Sequence, residues 1–240
     1  KGSKTLTVQH PYGGLIYLRS FASDATNEAT ASIQFTNVQK AVRFVLNTTT
    51  EGQWNTIKGS PAPKAELESK HYIITVPRGN MASLSFNEVE TIAKNYDKMA
   101  KNAYDFYGYD RTCTEPFTGH TPPTCDNNKK LAHKNRVVFD PQISIGDAHS
   151  GYPIMFMQWN PKSPKFPQNP INDFLLWHEA GHNMVESWLA VEGAGEVANN
   201  VMALYQEKSF KQPLYTSQGL GMVGTILAKD IPWTDGGDFG

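Results

Sequence analysis

Cysteine is scarce: Cys113 and Cys125 are the only two in 240 residues. With no further cysteine and no CxxC pair, a cysteine-built zinc site lacks its ligands. The two lie in the polar stretch TCTEPFTGHTPPTC, where a loop-closing disulfide is preferred over free thiols. Such a bridge would stabilise by at most about 3 kcal/mol and implies an oxidising compartment. Charge of one sign is also missing, since 22 Lys+Arg balance 23 Asp+Glu. That argues against nucleic acid as a partner, because phosphate attraction needs a net basic field. No run of about 18 apolar residues is present, so no transmembrane segment is expected. A basic region followed by an apolar one is absent from the start, so the opening does not read as a signal peptide. No 20–50-residue repeat occurs. Disorder is excluded in turn, because 11% aromatic residues accompany a near-zero net charge.

What is present divides the chain by period. GGLIYLRS and ASIQFTNVQKAVRFVL alternate in part and contain β-branched and aromatic residues, so residues 1 to about 50 read as β structure. Residues 50–70 look loop-like around SPAP, and HYIITVPR reads as a buried strand. Ser85 and Glu88 then form a capping box. Val89, Ile92, Ala93, Tyr96, Met99, Ala100 and Ala103 follow at helical spacing, which predicts a helix to about Tyr107. RVVFDPQISI and YPIMFMQW are strand-like. A Pro-rich connector leads to a second helix over about 171–190, with Asn169 as its expected cap and Pro170 at its first position.

That second helix carries His178-Glu179-Ala180-Gly181-His182. Residues i and i+4 share a helix face, so both imidazoles reach one point. Neutral imidazoles suit zinc, and a neighbouring carboxylate suits taking a proton from water. His178 and His182 are therefore candidate metal ligands and Glu179 a candidate general base. A buried structural histidine pair is the alternative. Gly181 costs roughly 1 kcal/mol against Ala in a helix interior, which another backbone or a substrate in close approach would rationalise.

A catalytic zinc takes three protein ligands. Glu196 ranks first for the third, Glu192 second, and Glu186 reads as a solvated or structural carboxylate. Glu196 opens a further predicted helix with Val197, Val201, Leu204 and Tyr205 as its apolar face. Asn200, four residues on, shares the face of Glu196 and is placed to orient a ligand histidine. An ordinary first-turn carboxylate is the bland reading of Glu196. Tyr152, His149 and Tyr215 are candidates by type for stabilising an oxyanion. The segment after His149-Ser150-Gly151-Tyr152-Pro153 is a candidate edge strand for an extended substrate, against a plain turn with a buried Tyr. Trp54, Trp159, Trp177 and Trp188 could stack on sugars but read first as core.

HEAGHNMVESWLAVEGAGEVANNVMALY resembles the enhancin-type, M60-like metallopeptidases, whose pattern is HExxH followed at variable distance by a ligand Glu. The resemblance extends to GGLIYL, SPAPKAELESKHYIITVP, AKNAYDFYGYDRT and HSGYPIM, in the family's order. It is closest to the branch of secreted bacterial mucin-degrading lipoproteins. It implies an α+β, zincin-like core with a β-rich N-terminal segment. The segment would cover residues 1–60 and the catalytic core 61–240, truncated at its C-terminal end. It implies Zn2+ on His178, His182 and Glu196, with Glu179 as general base. It also implies mucin-type glycoprotein substrates and export from a Gram-negative cell. The alternative from a different class is a carbohydrate-binding adhesin module with a structural or vestigial zinc site.

Overall fold

Apolar residues at every second position decide which way the strands face. Val42 and Phe44, Ala65 and Leu67, Tyr72, Ile74 and Val76, Val137 and Phe139, and Ile154 and Phe156 are all buried. Period-two alternation puts each set on one side of a pleated sheet. The structure, a computed structural model, describes residues 7, 14–17, 34–108, 134–158, 170–171, 173–185 and 194–210. Its strands are β1 (Val42–Val45), β2 (Lys64–Glu68), β3 (Tyr72–Pro77), β4 (Asn135–Asp140), β5 (Ala148–His149) and β6 (Ile154–Met157). They form one mixed sheet in the order β1-β2-β3-β4-β6-β5. β2 and β3 are antiparallel, with Leu67 opposite Ile74. β3, β4 and β6 run parallel, with Val137 opposite Ile154. β5 is the edge strand at the end away from β1 and pairs antiparallel with β6, His149 opposite Met155.

Five helices are described: α1 (Glu51–Ile57), α2 (Arg78–Ala82), α3 (Phe86–Phe106), α4 (Phe174–His182) and α5 (Ala194–Ser209). α3 starts at the expected capping box, Ser85 accepting from Glu88 N and Glu88 reaching back to the Ser85 N–H. Its apolar stripe buries Val89, Ile92, Ala93, Tyr96, Met99, Ala100 and Ala103. The rings of Tyr72 and Tyr96 sit 5.5 Å apart where this helix meets the sheet.

One expectation about the first half changes. Residues 50–70 contain α1 and β2 rather than a loop. Thr50 and Gln53 make a reciprocal capping box at the start of α1, a signal present in TEGQ. β2 looked polar because Lys64, Glu66 and Glu68 alternate with the buried Ala65 and Leu67. Among the described residues before position 50, β1 is the one strand, and it joins the same sheet as the rest. Tyr17 docks on the polar face of that sheet. Arg136 Nη2 donates to Glu66 Oε1 at 2.7 Å, and its guanidinium lies 4.4 Å from the Tyr17 ring centroid. Burial, then the Glu66 carboxylate, pushes the Tyr17 phenol up to about 12. Trp54 and Trp177 are fully buried, so both are core residues.

Candidate metal centre

α4 is shorter than its sequence suggested, and its cap differs. Asp173, not Asn169, caps it, its Oδ1 accepting from Leu176 N at 3.0 Å. Pro170 precedes the helix, and its carbonyl accepts from Trp177 Nε1 at 2.8 Å. A nearer carboxylate thus supplies the acceptor that the first turn needs. The Trp177 ring stacks on Phe210 at 6.0 Å, just past α5. The helix ends at His182 with Asn183 as its C-cap.

Asp173 is buried with one carboxylate oxygen, Oδ2, lacking a partner. Desolvation outweighs the bond from Leu176 N and lifts its carboxyl from the ordinary 3.8 to about 7. Its charge adds to the burial that raises the neighbouring Tyr96 phenol.

α5 packs across α4 and brings Glu196 to the two histidines. His178 Nε2 lies 3.0 Å from Glu196 Oε2, and His182 Nε2 lies 3.3 Å from Glu196 Oε1. The two imidazole Nε2 atoms are 3.1 Å apart. His178 Nδ1 donates to Asn200 Oδ1 at 2.8 Å, which leaves its Nε2 as the lone-pair nitrogen facing the other two groups. Lone-pair and anionic atoms this close repel unless they share a cation. Tetrahedral zinc with bonds of 2.0–2.1 Å separates its ligand atoms by about 3.3 Å, so the donor set fits zinc in type and spacing.

Exposure differs around the centre. The side chains of His178 and His182 are 14% and 25% exposed, whereas that of Glu196 is 66% exposed. Phe174 stacks over His178 at 6.1 Å. Glu179 is buried beside the pair. Among the described residues, the centre is thus walled by α4 and exposed on the Glu196 side.

Gly181 is explained by the same crossing. A Cβ there would stand 2.8 Å from Asn199 Oδ1 and 3.0 Å from Met202 Cε. The close neighbour is therefore a side chain of α5, not a backbone or a substrate. Asn199 is fully buried and its Oδ1 accepts from Tyr107 OH at 3.1 Å. Further along, Asn102 Nδ2 donates to Gln206 Oε1 at 2.9 Å, and Gln206 Nε2 donates to the Met99 carbonyl at 2.8 Å. The inner face of α5 is accordingly Asn199, Met202, Ala203, Gln206 and Glu207. Val197, Val201 and Tyr205, expected inside, are exposed. Polar side chains occupy the buried positions instead, Gln206 bonded to α3 and Asn199 to its C-cap Tyr107.

Of the other candidates, Tyr152 is 67% exposed, so the turn does not bury it. His149 Nδ1 lies 2.8 Å from the Ser150 carbonyl oxygen. β6, which follows this turn, is an inner strand; the edge strand on this side of the sheet is β5. Sequence reasoning did not single out Asn183, and it named Gly151 only as part of a turn. Asn183 Oδ1 accepts from Gly151 N at 2.9 Å and its Nδ2 donates to Gly151 O at 2.8 Å. Their signals were an Asn directly after HExxH and a Gly inside HSGYPIM. Cys113, Cys125, Trp159, Glu186, Trp188, Glu192 and Tyr215 lie outside the described residues.

The mixed sheet with its helices is a zincin-like α+β fold, similar to the M60 catalytic domain of Clostridium perfringens ZmpC solved in complex with the sialyl T antigen. That match has a TM-score of 0.51 at 18% identity, over 70% of this chain and 32% of that one. The family described as peptidase M60, enhancin and enhancin-like matches residues 37–229, and the chain belongs to it. An AcfD-homolog lipoprotein of Escherichia coli K12 is 43% identical over 209 residues, 87% of this chain and 13% of that protein. Accessory colonization factor AcfD of Vibrio cholerae is 33% identical over 205 residues, 85% of this chain and 12% of its own length. The chain thus spans only a small part of these relatives.

Proposed function

We propose that this chain is the catalytic part of an exported zinc metalloendopeptidase that cleaves peptide bonds in O-glycosylated, mucin-type proteins. The convergence of His178, His182 and Glu196, with donor atoms all within 4.8 Å of one another, carries the reading. These three residues would hold zinc, and Asn200 would fix the His178 ring and tautomer. When bound, zinc supplies Lewis-acid polarisation of a carbonyl and acidifies water. Glu179 takes the proton from the attacking water and passes it to the leaving amine. β5 is an edge strand among the described residues, packed against α4, and an extended peptide adds to its outer side through main-chain hydrogen bonds. Glycoprotein substrates are supported by the glycan held in the ZmpC structure, and a cell-surface or exported location by the lipoprotein relative. No helix among the described residues is long and apolar enough to cross a membrane.

The test is Glu179→Gln, assayed for zinc content and for cleavage of a mucin and its deglycosylated form. The expected variant keeps zinc and loses nearly all cleavage. Full activity in Glu179→Gln would refute the mechanism. Zinc-bearing wild type that binds mucin without cutting it would favour an adhesin.

A further inference from the structure

We propose that Asn183 is a positioning residue that sets the register of the substrate-binding edge against the metal-ligand helix; this rests on the peptidase reading above. Asn183 directly follows His182. As a helix C-cap, its side chain would be expected to serve its own helix or solvent. Instead both polar atoms of its amide go to one residue of a different element. Oδ1 takes the Gly151 N–H at 2.9 Å and Nδ2 gives to the Gly151 carbonyl at 2.8 Å. That is the donor–acceptor pair a neighbouring strand would offer. Asn183 therefore pairs with the chain between β5 and β6 as a strand would, two residues beyond His149.

The other polar contact within this turn is local, His149 Nδ1 to the Ser150 carbonyl oxygen at 2.8 Å. Ser150, Gly151 and Tyr152 lie between the two strands, and the Tyr152 ring is 67% exposed, so apolar burial contributes little. Gly151 sits at φ +126, a conformation that glycine tolerates and other residues do not. The local chain accepts that conformation, and the amide pair fixes it. A peptide on β5 takes its height from β5, whereas the reacting carbonyl must meet groups on α4. The Asn183–Gly151 pair joins the two elements one residue from a metal ligand. A misplacement of about 1 Å at a reacting centre can cost on the order of a hundredfold in rate, so this link matters beyond stability.

The test reads binding and local protection separately from catalysis. In the Glu179→Gln background, the affinity for an end-blocked, O-glycosylated mucin-repeat peptide is measured with and without Asn183→Ala. Expected are about tenfold weaker binding, the order of magnitude for losing two hydrogen bonds, with zinc content unchanged. Gly151 amide hydrogen exchange should accelerate at least about tenfold. Gly151→Ala, which strains the same turn without touching α4, should weaken peptide binding likewise. Equal affinity, unchanged Gly151 exchange, no peptide binding by either protein, or loss of zinc from Asn183→Ala would each overturn the proposal. Cleavage by Glu179→Gln itself would instead refute the general-base assignment.

Discussion

Replacing Gly181 by alanine opposes two effects whose sizes can be compared. Helix propensity favours Ala over Gly by about 1 kcal/mol in a helix interior. The added methyl would lie 2.8 Å from Asn199 Oδ1, 3.1 Å from Asn199 Cγ and 3.0 Å from Met202 Cε. Met202 can yield, since its methyl is the free end of a flexible chain. Asn199 yields at a cost, because it is fully buried and bonded to Tyr107. Losing that bond costs about 1 kcal/mol, and overpacking a tight contact costs about 1–3 kcal/mol. The net expectation for Gly181→Ala is destabilisation by about 1–3 kcal/mol. Zinc affinity should suffer as well. Asn199 is flanked on α5 by Glu196 and Asn200, so pushing the helix away withdraws both from the histidines. Disturbing such outer contacts typically weakens metal binding about 10- to 100-fold. Competition with a chromophoric chelator gives the zinc affinity, and urea unfolding of the metal-free protein gives the stability. Gly181→Ala combined with Asn199→Ala removes two of the three close atoms and should recover most of the zinc affinity. The cycle then yields a coupling that neither single variant shows. A Gly181→Ala protein that is more stable and binds zinc as tightly as wild type would show that the crossing of α4 and α5 is soft and the steric account wrong.

Glu196→Ala should lose most of its zinc affinity while staying folded, since the Glu196 side chain is largely exposed. Unchanged zinc content would move the third ligand to Glu192. Asp173→Asn keeps an acceptor for Leu176 N, as Asn caps about as well as Asp, and removes a buried charge. The Asp173 carboxyl titrates near 7 when folded and near its ordinary 3.8 when unfolded. The native state therefore holds this proton more tightly. Its contribution to stability falls as pH rises from about 4 to about 7 and is flat above. Urea unfolding of the metal-free proteins should show Asp173→Asn gaining on wild type by about 2–3 kcal/mol between pH 5 and pH 8. A constant difference across that range would refute the assignment.

The parts legible from sequence were those written in local chemistry. α3 announced itself because the Ser85–Glu88 box and an apolar stripe agree on one helix. HExxH fixed which side chains share a face, and Glu196 could be ranked because a following helix can fold back. Less legible was whatever depends on a partner element. α5 was assigned the wrong inner face, because Asn199 and Gln206 look solvent-seeking until Tyr107, Asn102 and the Met99 carbonyl are known to meet them. The cap of α4 was misplaced because Asn169-Pro170 matches a local rule that Asp173 also satisfies, nearer the helix. The Asn183–Gly151 pair joins residues 32 positions apart, and no periodicity records such a contact.

The candidate centre lies between the end of one helix and the beginning of another. His182 is in the last turn of α4, and Glu196 is in the first turn of α5. Aligned peptide dipoles leave a partial negative charge at a helix C-terminus and a partial positive one at an N-terminus. The backbone of α4 therefore favours a cation beside His182, while that of α5 favours an ionised carboxylate at Glu196. Each influence is worth about 0.3–1 kcal/mol. Both act on charge rather than on the chemical element, so the backbone makes the site receptive to divalent ions in general. Discrimination among those ions falls to the ligand types and their spacing.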